Sequence, residues 1–226
     1  MTIIFDLPLA HRELSKFRGA VIKCAGKEKT LFHNHIENGF AYRYPMIQYR
    51  IIGGNAALVC INEGIEQAQT LFARGFVGST IEIGDDMHEV KINSIRQNEI
   101  ALRMVDEELK YRIVRWLPLN QQNYKAWREL DKEQRIEQLN KMMVGNILSF
   151  AKGVHWQLCD RIECSIDPNS IETKHVQYKD QQLIAFNAEF ATNVFLPIGI
   201  GLGKSVSLNK GIVLRLHSDE IINEFE

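Results

Sequence analysis

The 226-residue chain is 45% hydrophobic and 24% charged, a balance that supports a sizeable buried core and excludes collagen-like repeats, wholesale disorder and a disulfide-stapled scaffold. Its formal net charge of −1 excludes a uniformly basic nucleic-acid coat, yet the charge is segregated. Eight Lys and Arg face three Glu between His11 and Asn62, whereas the last ten residues carry Asp219, Glu220, Glu224 and Glu226.

Thr2 to Phe5 reads as a first strand, broken at Asp6-Leu7-Pro8. A helix follows from about Ala10, with Leu14, Phe17, Val21 and Ile22 at helical spacing. Lys27 to Asn34 is loop or short extended segment. Ala41 to Ile52 is rich in aromatic and β-branched residues, and Gly53-Gly54 joins it to the apolar run Ala56 to Ile61, which predicts a hairpin. Ile65, Ala68, Leu71 and Phe72 restore the helical period over Glu63 to Ala73, and Gly75 and Gly78 end it. Strands are predicted at Thr80 to Ile83, Glu89 to Ile95, Glu99 to Val105 and Lys110 to Leu117.

The polar run from Pro118 to Asn123 is the best domain boundary, dividing the chain into 1–120 and 121–226. Beyond it, Tyr124 to Lys152 predicts one amphipathic helix, or two parted near Gly145. Strands are expected at His155 to Ile166, Thr173 to Tyr178, Leu183 to Val194 and Val206 to Leu216. Both halves are α+β. The apolar stretch Phe190 to Gly203 is too short to span a bilayer, which takes about 20 residues, and the N-terminus carries no basic flank ahead of its apolar run, so no export signal is expected. Cys24, Cys60, Cys159 and Cys164 form no CxxC pair and no zinc spacing. A cytoplasmic protein with reduced thiols, and no metal or other cofactor, is expected.

Three segments could carry chemistry. In His33-Asn34-His35 an extended backbone would project both imidazoles to one side. Imidazole, with an ordinary pKa of about 6.5, can divide acid and base roles at neutral pH; a zinc site would want a third ligand, and loop-capping or surface histidines are the commoner outcome. Tyr42, Arg43 and Tyr44 read either as a half-buried strand or as a ring that stacks on a base and a guanidinium that holds phosphate. The run Gly199 to Ser205 fails the P-loop spacing at Ile198 and the dinucleotide fingerprint at Lys204 and Val206. It remains either a tight turn or a backbone that approaches a polyanion, with Lys204, Ser205, Ser207 and Lys210 at hand for phosphates.

FRGAVIKCAGKEKTLFHNHIENGFAYRYPMIQYR at one end and FNAEFATNVFLPIGIGLGKSVSLNKG at the other resemble the CRISPR-associated endoribonucleases of the RAMP superfamily that cut precursor CRISPR RNA within its repeats. The resemblance spans nearly the whole chain. It implies two ferredoxin-like domains in tandem, each with an antiparallel sheet covered by helices on one face, and a strand-helix order of βαββαβ that agrees with the first half. It also implies a metal-independent reaction in which the ribose 2′-hydroxyl attacks the adjacent phosphate and leaves a 2′,3′-cyclic phosphate. Carried onto this sequence, His35 and His33 match the histidines, Tyr42 the tyrosine, and Lys27, Lys29 or Arg43 the cation, since Arg43 stands where many relatives have lysine. Gly201, Gly203, Lys204, Ser205, Ser207 and Lys210 become RNA-binding residues, with Leu208-Asn209-Lys210-Gly211 departing from the second glycine cluster of many RAMP loops. CRISPR repeat RNA is the implied partner, together with other Cas effector subunits or a second copy of the chain. A noncatalytic RNA-binding RAMP subunit is the alternative, and a nucleotide-sensing α+β protein a third reading.

Overall fold

A computed structural model describes residues 1–26, 30–32, 35–36, 39–40, 44–178 and 181–216, a few of them by backbone alone. The chain packs as two units, Met1–Glu99 and a second that begins at Ile100.

The first unit opens with β1 (Thr2–Pro8) and, after a 3-10 turn at His11–Glu13, α1 (Leu14–Ala25). A 3-10 turn at Thr30–Phe32 leads to two short paired strands, β2 (His35–Ile36) and β3 (Gly39–Phe40). Then come β4 (Ile47–Ile52), β5 (Asn55–Cys60), α2 (Glu63–Ala73), a hairpin of β6 (Thr80–Ile83) and β7 (Asp86–Glu89), and β8 (Ile92–Arg96). The main sheet has the order β4-β5-β1-β8, with β1 antiparallel to both neighbours. This is the ferredoxin-like arrangement, and the β6/β7 hairpin is an insertion between α2 and the last strand.

Apolar periodicity seats both helices on one face. Leu14, Phe17, Ala20, Val21 and Ala25 bury one side of α1, and Phe17 meets Phe5 of β1 and Tyr49 of β4 edge-on at centroid distances of 5.8 and 6.0 Å. Gly64, Ala68 and Leu71 do the same for α2. The expected strand Glu89 to Ile95 is two, since the chain leaves β7 after Glu89 and rejoins the sheet at Ile92.

In the second unit β9 (Met104–Trp116) is one long strand where two were expected: it pairs with β12 at Met104 and again from Leu109, and the exposed acidic residues Asp106, Glu107 and Glu108 fall in the register shift between. It is followed by α3 (Gln121–Glu129), α4 (Lys132–Gly153), β10 (Cys164–Ile166), β11 (Glu172–Tyr178), β12 (Gln181–Val194) and β13 (Ile212–Arg215). The sheet runs β10-β12-β9-β13, and β11 also pairs with β12. Because β9 lies inside this sheet, the units part at Glu99/Ile100 rather than at the polar run 118–123, which leads into α3 and forms its first turn.

The helical stretch divides at Leu130 and Asp131, not near Gly145. Asp131 accepts from the Gln134 backbone at 2.8 Å while the Gln134 side chain accepts from the Asp131 N–H, a capping box that starts α4. Leu139, Met143, Ile147 and Phe150 bury the sheet-facing side of α4. The expected strand at 155–166 shrinks to β10, and that at 206–216 to β13. Among the described residues no helix is long and apolar enough to cross a membrane.

Two helical glycines, Gly64 in the first turn of α2 and Gly145 in the middle of α4, carry opposite expectations. A Cβ on Gly64 would lie 2.9 Å from the Met46 carbonyl carbon and 3.2 Å from Ile47 Cγ1, whereas one on Gly145 would meet nothing within 4 Å. In a helix interior such as that around Gly145, alanine gains roughly 1 kcal/mol of helix propensity over glycine. Gly145→Ala should therefore raise the thermal unfolding midpoint, and Gly64→Ala should lower it by prising α2 from β4, as measured by circular dichroism melts of both variants against the parent.

Candidate functional site

Two regions hold the residues singled out from sequence, one in each unit. In the first, His35 opens β2 opposite Phe40 in register. His33, Tyr42, Arg43, Lys27 and Lys29 lie outside the described residues, so the structure neither joins nor separates them.

What the structure does describe is how the segment between residues 32 and 44 is tied down at both ends, and both ties come from β4. The Tyr49 hydroxyl donates to the Phe32 carbonyl at 3.1 Å, in a fully buried setting. Gln48 Nε2 donates to the Tyr44 hydroxyl at 2.9 Å and to the Pro45 carbonyl at 3.1 Å. Arg50 continues this buried polar face, donating through Nη2 to Gln48 Oε1 and through Nη1 to the Tyr49 carbonyl. Burial pushes the Tyr49 hydroxyl well up from its ordinary value, against the smaller opposing pull of the Arg18 guanidinium. Burial thus favours the neutral hydroxyl, the form that donates to the Phe32 carbonyl. Tyr44, expected as part of an exposed or half-buried aromatic pair, is a buried anchor with 6% of its surface accessible.

The second region is the segment 195–211, which connects β12 to β13 without a helix. Gly199, Gly203, Ser205, Asn209 and Gly211 all have positive φ. For Ser205 and Asn209 that is the left-handed region which residues with a Cβ seldom enter, and such strain collects at binding loops. Short ties close the segment on itself and on β9: Leu202 N–H donates to the Gly211 carbonyl at 2.7 Å, and Gly211 N–H to the Arg115 carbonyl at 3.0 Å. Gly203 sits against Trp116, whose Nε1 donates to Asn146 Oδ1 at 2.8 Å. Any Cβ at residue 203 would come within 2.8 Å of that nitrogen.

A β-bulge aims Arg115 at the loop. Phe186 pairs with Trp116 and Ala188 with Ile113, so Val114 and Arg115 together oppose the single residue Asn187. Arg115 takes φ +54° there, its N–H donates to Asn187 Oδ1 at 2.8 Å, and its Nε donates to the Asn209 carbonyl at 3.2 Å. Half-buried Lys210 stands close by. Burial lowers the Lys210 pKa from its ordinary value, and the Arg115 guanidinium lowers it further; burial also lowers that of exposed Lys204. Two cations held side by side in a partly desolvated place favour an anion between them, because it relieves both the burial and the repulsion.

Gly201, Gly203, Lys204, Ser205, Ser207 and Lys210 are therefore brought together in one loop, with Lys204 exposed and Ser205, Ser207 and Lys210 half-buried. The histidine segment belongs to the other unit. Arg115 and Trp116 escaped the sequence reading. Their signal was the break in alternation at Val114-Arg115-Trp116, which becomes a bulge only once β12 is known to be the partner.

Two family profiles match the chain, a Cas6b N-terminal domain over residues 1–101 and a Cas6b C-terminal domain over residues 103–216. The Methanocaldococcus jannaschii protein MJ0978 is 32% identical over 114 residues, which is 50% of this chain and 76% of that one. A crystal structure described as Cas6b is similar with a TM-score of 0.81 and 27% identity, covering 96% of this chain and 100% of its own. A second, described as the CRISPR RNA processing endoribonuclease Cas6b, shares the fold with a TM-score of 0.67 at 24% identity over 96% of this chain and 100% of its own.

Gly211 tests the loop. Its φ of +61° and the Leu202 carbonyl, which a Cβ would overlap, are independent obstacles to a side chain. Gly211→Ala should lose about 1–3 kcal/mol of stability from strain alone, read as a lower thermal midpoint. Lys204→Ala, at an exposed position of the same loop, should melt like the parent.

Proposed function

The chain belongs to the Cas6b family, and from that premise we propose that it is an endoribonuclease that cuts CRISPR repeat RNA to give mature guide RNAs. The observation that carries the reading is the family match across both units, residues 1–101 and 103–216. Other effector subunits and a second copy of the chain are its further candidate partners, and the cytoplasm its place of action.

The reaction we propose needs no metal. One imidazole of the His33/His35 pair takes the proton of a ribose 2′-hydroxyl, whose oxygen attacks the adjacent phosphorus. The bond from phosphorus to the 5′-oxygen breaks, and the other imidazole protonates that leaving oxygen, so a 2′,3′-cyclic phosphate and a free 5′-hydroxyl result. Tyr42 orients the phosphate, and Lys27, Lys29 or Arg43 balances its charge as the attack develops. The anchoring of residues 32 and 44 on β4 supports this reading, because acid and base must be held within hydrogen-bond reach of one phosphate. In the other unit Lys204, Lys210 and Arg115, with Ser205, Ser207 and the backbone at Gly201 and Gly203, grip the RNA chain through its phosphates.

The cyclic-phosphate mechanism is tested on repeat RNA in EDTA. Cleavage should persist there, and a single 2′-deoxy substitution at the nucleotide 5′ of the cut should abolish it while binding is retained. Dependence on an added divalent ion, or cutting of the deoxy substrate at the same bond, would overturn the mechanism.

His35→Ala and His33→Ala should each slow single-turnover cleavage by about 10² to 10⁴ with little change in affinity, the usual contribution of one acid or base. The double variant should lose less than the product of the two, since both groups act on one transition state. Folded single variants that cut at the parental rate would make His33 and His35 structural and move the acid and base to other residues.

A further inference from the structure

A cleft of about 640 Å³ opens in the second unit between α3 and the β11/β12 hairpin, apart from the glycine-rich loop. Leu119, Leu183 and Ile184 make an apolar floor, with 2%, 9% and 8% of their surface exposed. Tyr124 lines one side. Its ring stacks on Trp127 at 5.8 Å and 25°, and Trp127 is fixed in turn by Phe186 edge-on at 5.6 Å and by the Arg135 guanidinium at 5.1 Å. Lys125 and Arg128, three apart on α3, are exposed at the rim, and neither forms an ion pair among the described residues although Glu129 adjoins them. Opposite, His175 of β11 shares the register position of Ile184 and is exposed.

The combination is selective. A held aromatic ring over an apolar floor suits a flat heterocycle, and two cations at the rim suit the phosphates on either side of it. Another cleft of this unit, between α4 and residues 158–164, sets Asp160 and Glu163 against Lys141 and Arg161 and so has no net charge to draw a polyanion.

We propose that the α3 cleft is a second RNA contact, which takes an unpaired nucleotide of the bound RNA with its base on Tyr124 and its phosphates at Lys125 and Arg128. This rests on the RNA-binding half of the function proposed above and not on the cleavage chemistry. RNA held by the glycine-rich loop would gain a second foothold in the same unit, and strand-tolerant stacking there adds affinity without reading sequence.

The test is the affinity of the full chain for its repeat RNA as a function of salt. Lys125→Ala with Arg128→Ala should weaken binding about tenfold and flatten the log-log salt slope by about 1.4, at about 0.7 per phosphate contact on single strands. Tyr124→Ala should weaken it about tenfold as well, whereas Tyr124→Phe, which keeps the stacking face, should bind like the parent. The lysine and arginine are exposed, so that pair reports even where Tyr124→Ala fails to fold. Parental affinity and slope in the folded double variant overturn the proposal. Capture of poly-L-glutamate that depends on Lys125 and Arg128, with RNA affinity unchanged, overturns it in favour of an acidic protein segment. A parent that binds no repeat RNA overturns both this contact and the function above; one that binds but does not cut removes the nuclease alone.

Discussion

In each unit the first strand to be made ends in the middle of the sheet, and that single constraint sets where everything else can go. β1 is flanked by β5 and β8, and β9 by β12 and β13, every pair antiparallel. The two flanking strands are thus parallel to one another, so the chain must travel back along the sheet to get from one to the other. In the first unit α2 makes that journey and buries Gly64, Ala68 and Leu71 on the way. In the second unit residues 195–211 make it with no helix at all. A helix satisfies its own backbone; a segment without one must find partners elsewhere. Here they are the Arg115 carbonyl, the segment's own turns and the Ile212 bridge at Gly201. The positive φ angles at Gly203 and Gly211 follow from that folding back, and so does the presentation of Lys204 and Lys210 beside an exposed turn.

The first unit solves a different problem, the placing of a long excursion between α1 and β4. β4 is an edge strand buried along its whole length. Alternation puts Ile47, Tyr49 and Ile51 on one face and Gln48 and Arg50 on the other. Tyr49 serves both sides of the problem, since its ring packs on Phe17 while its hydroxyl reaches the Phe32 carbonyl. Gln48 fixes the return of the chain at Tyr44 and Pro45. Buried polar groups are costly unless they are hydrogen-bonded. Their hydrogen bonds at Phe32, Tyr44 and Pro45 fix where the excursion leaves the side of β4 and where it returns.

Periodicity made α1 and α2 legible, because each presents one apolar face to the sheet, and composition with Gly53-Gly54 did the same for the β4/β5 hairpin, whose strands are buried on both faces. The misreadings arose where a signal needs a partner to be understood. Gly145 looked like a helix break because glycine is a poor helix former, yet it lies on an open face of α4, and the break is set by Asp131 and Gln134, a capping signal present in the sequence. The acidic residues of β9 suggested two strands because they interrupt the apolar pattern; they form a register shift, and pairing with β12 on either side of it makes the strand one. Polarity at residues 120–123 marks the N-cap and first turn of α3, behind the buried Pro118 and Leu119, and composition there says nothing of the sheet to which β9 belongs. The glycine-rich loop was legible as a cluster, but its contact with Trp116 and the bulge at Arg115 depend on residues some 90 positions apart in sequence. Of the histidine segment, His35 is placed in a short strand, and its expected companions lie outside the described residues.

Lys210 and Arg115 show why such a loop is kept in a form that is unfavourable on its own. Like charges brought together in a partly buried place lower the pKa of the lysine, and the free protein bears that repulsion. Substituting either cation would relieve it, and with it the attraction for an anion. The bulge prevents relaxation by holding Arg115 in a left-handed conformation through Asn187 and Asn209, while Gly203 against Trp116 keeps the loop from swinging away. Phosphate contacts of the kind proposed for this loop position a chain without reading its bases. A site built only from them accepts any polyanion, so discrimination has to come from groups that meet the base or the scissile ribose. In the function proposed here those tasks are divided between the units: cations and a constrained backbone in the second, proton-transfer groups between the two anchored ends in the first.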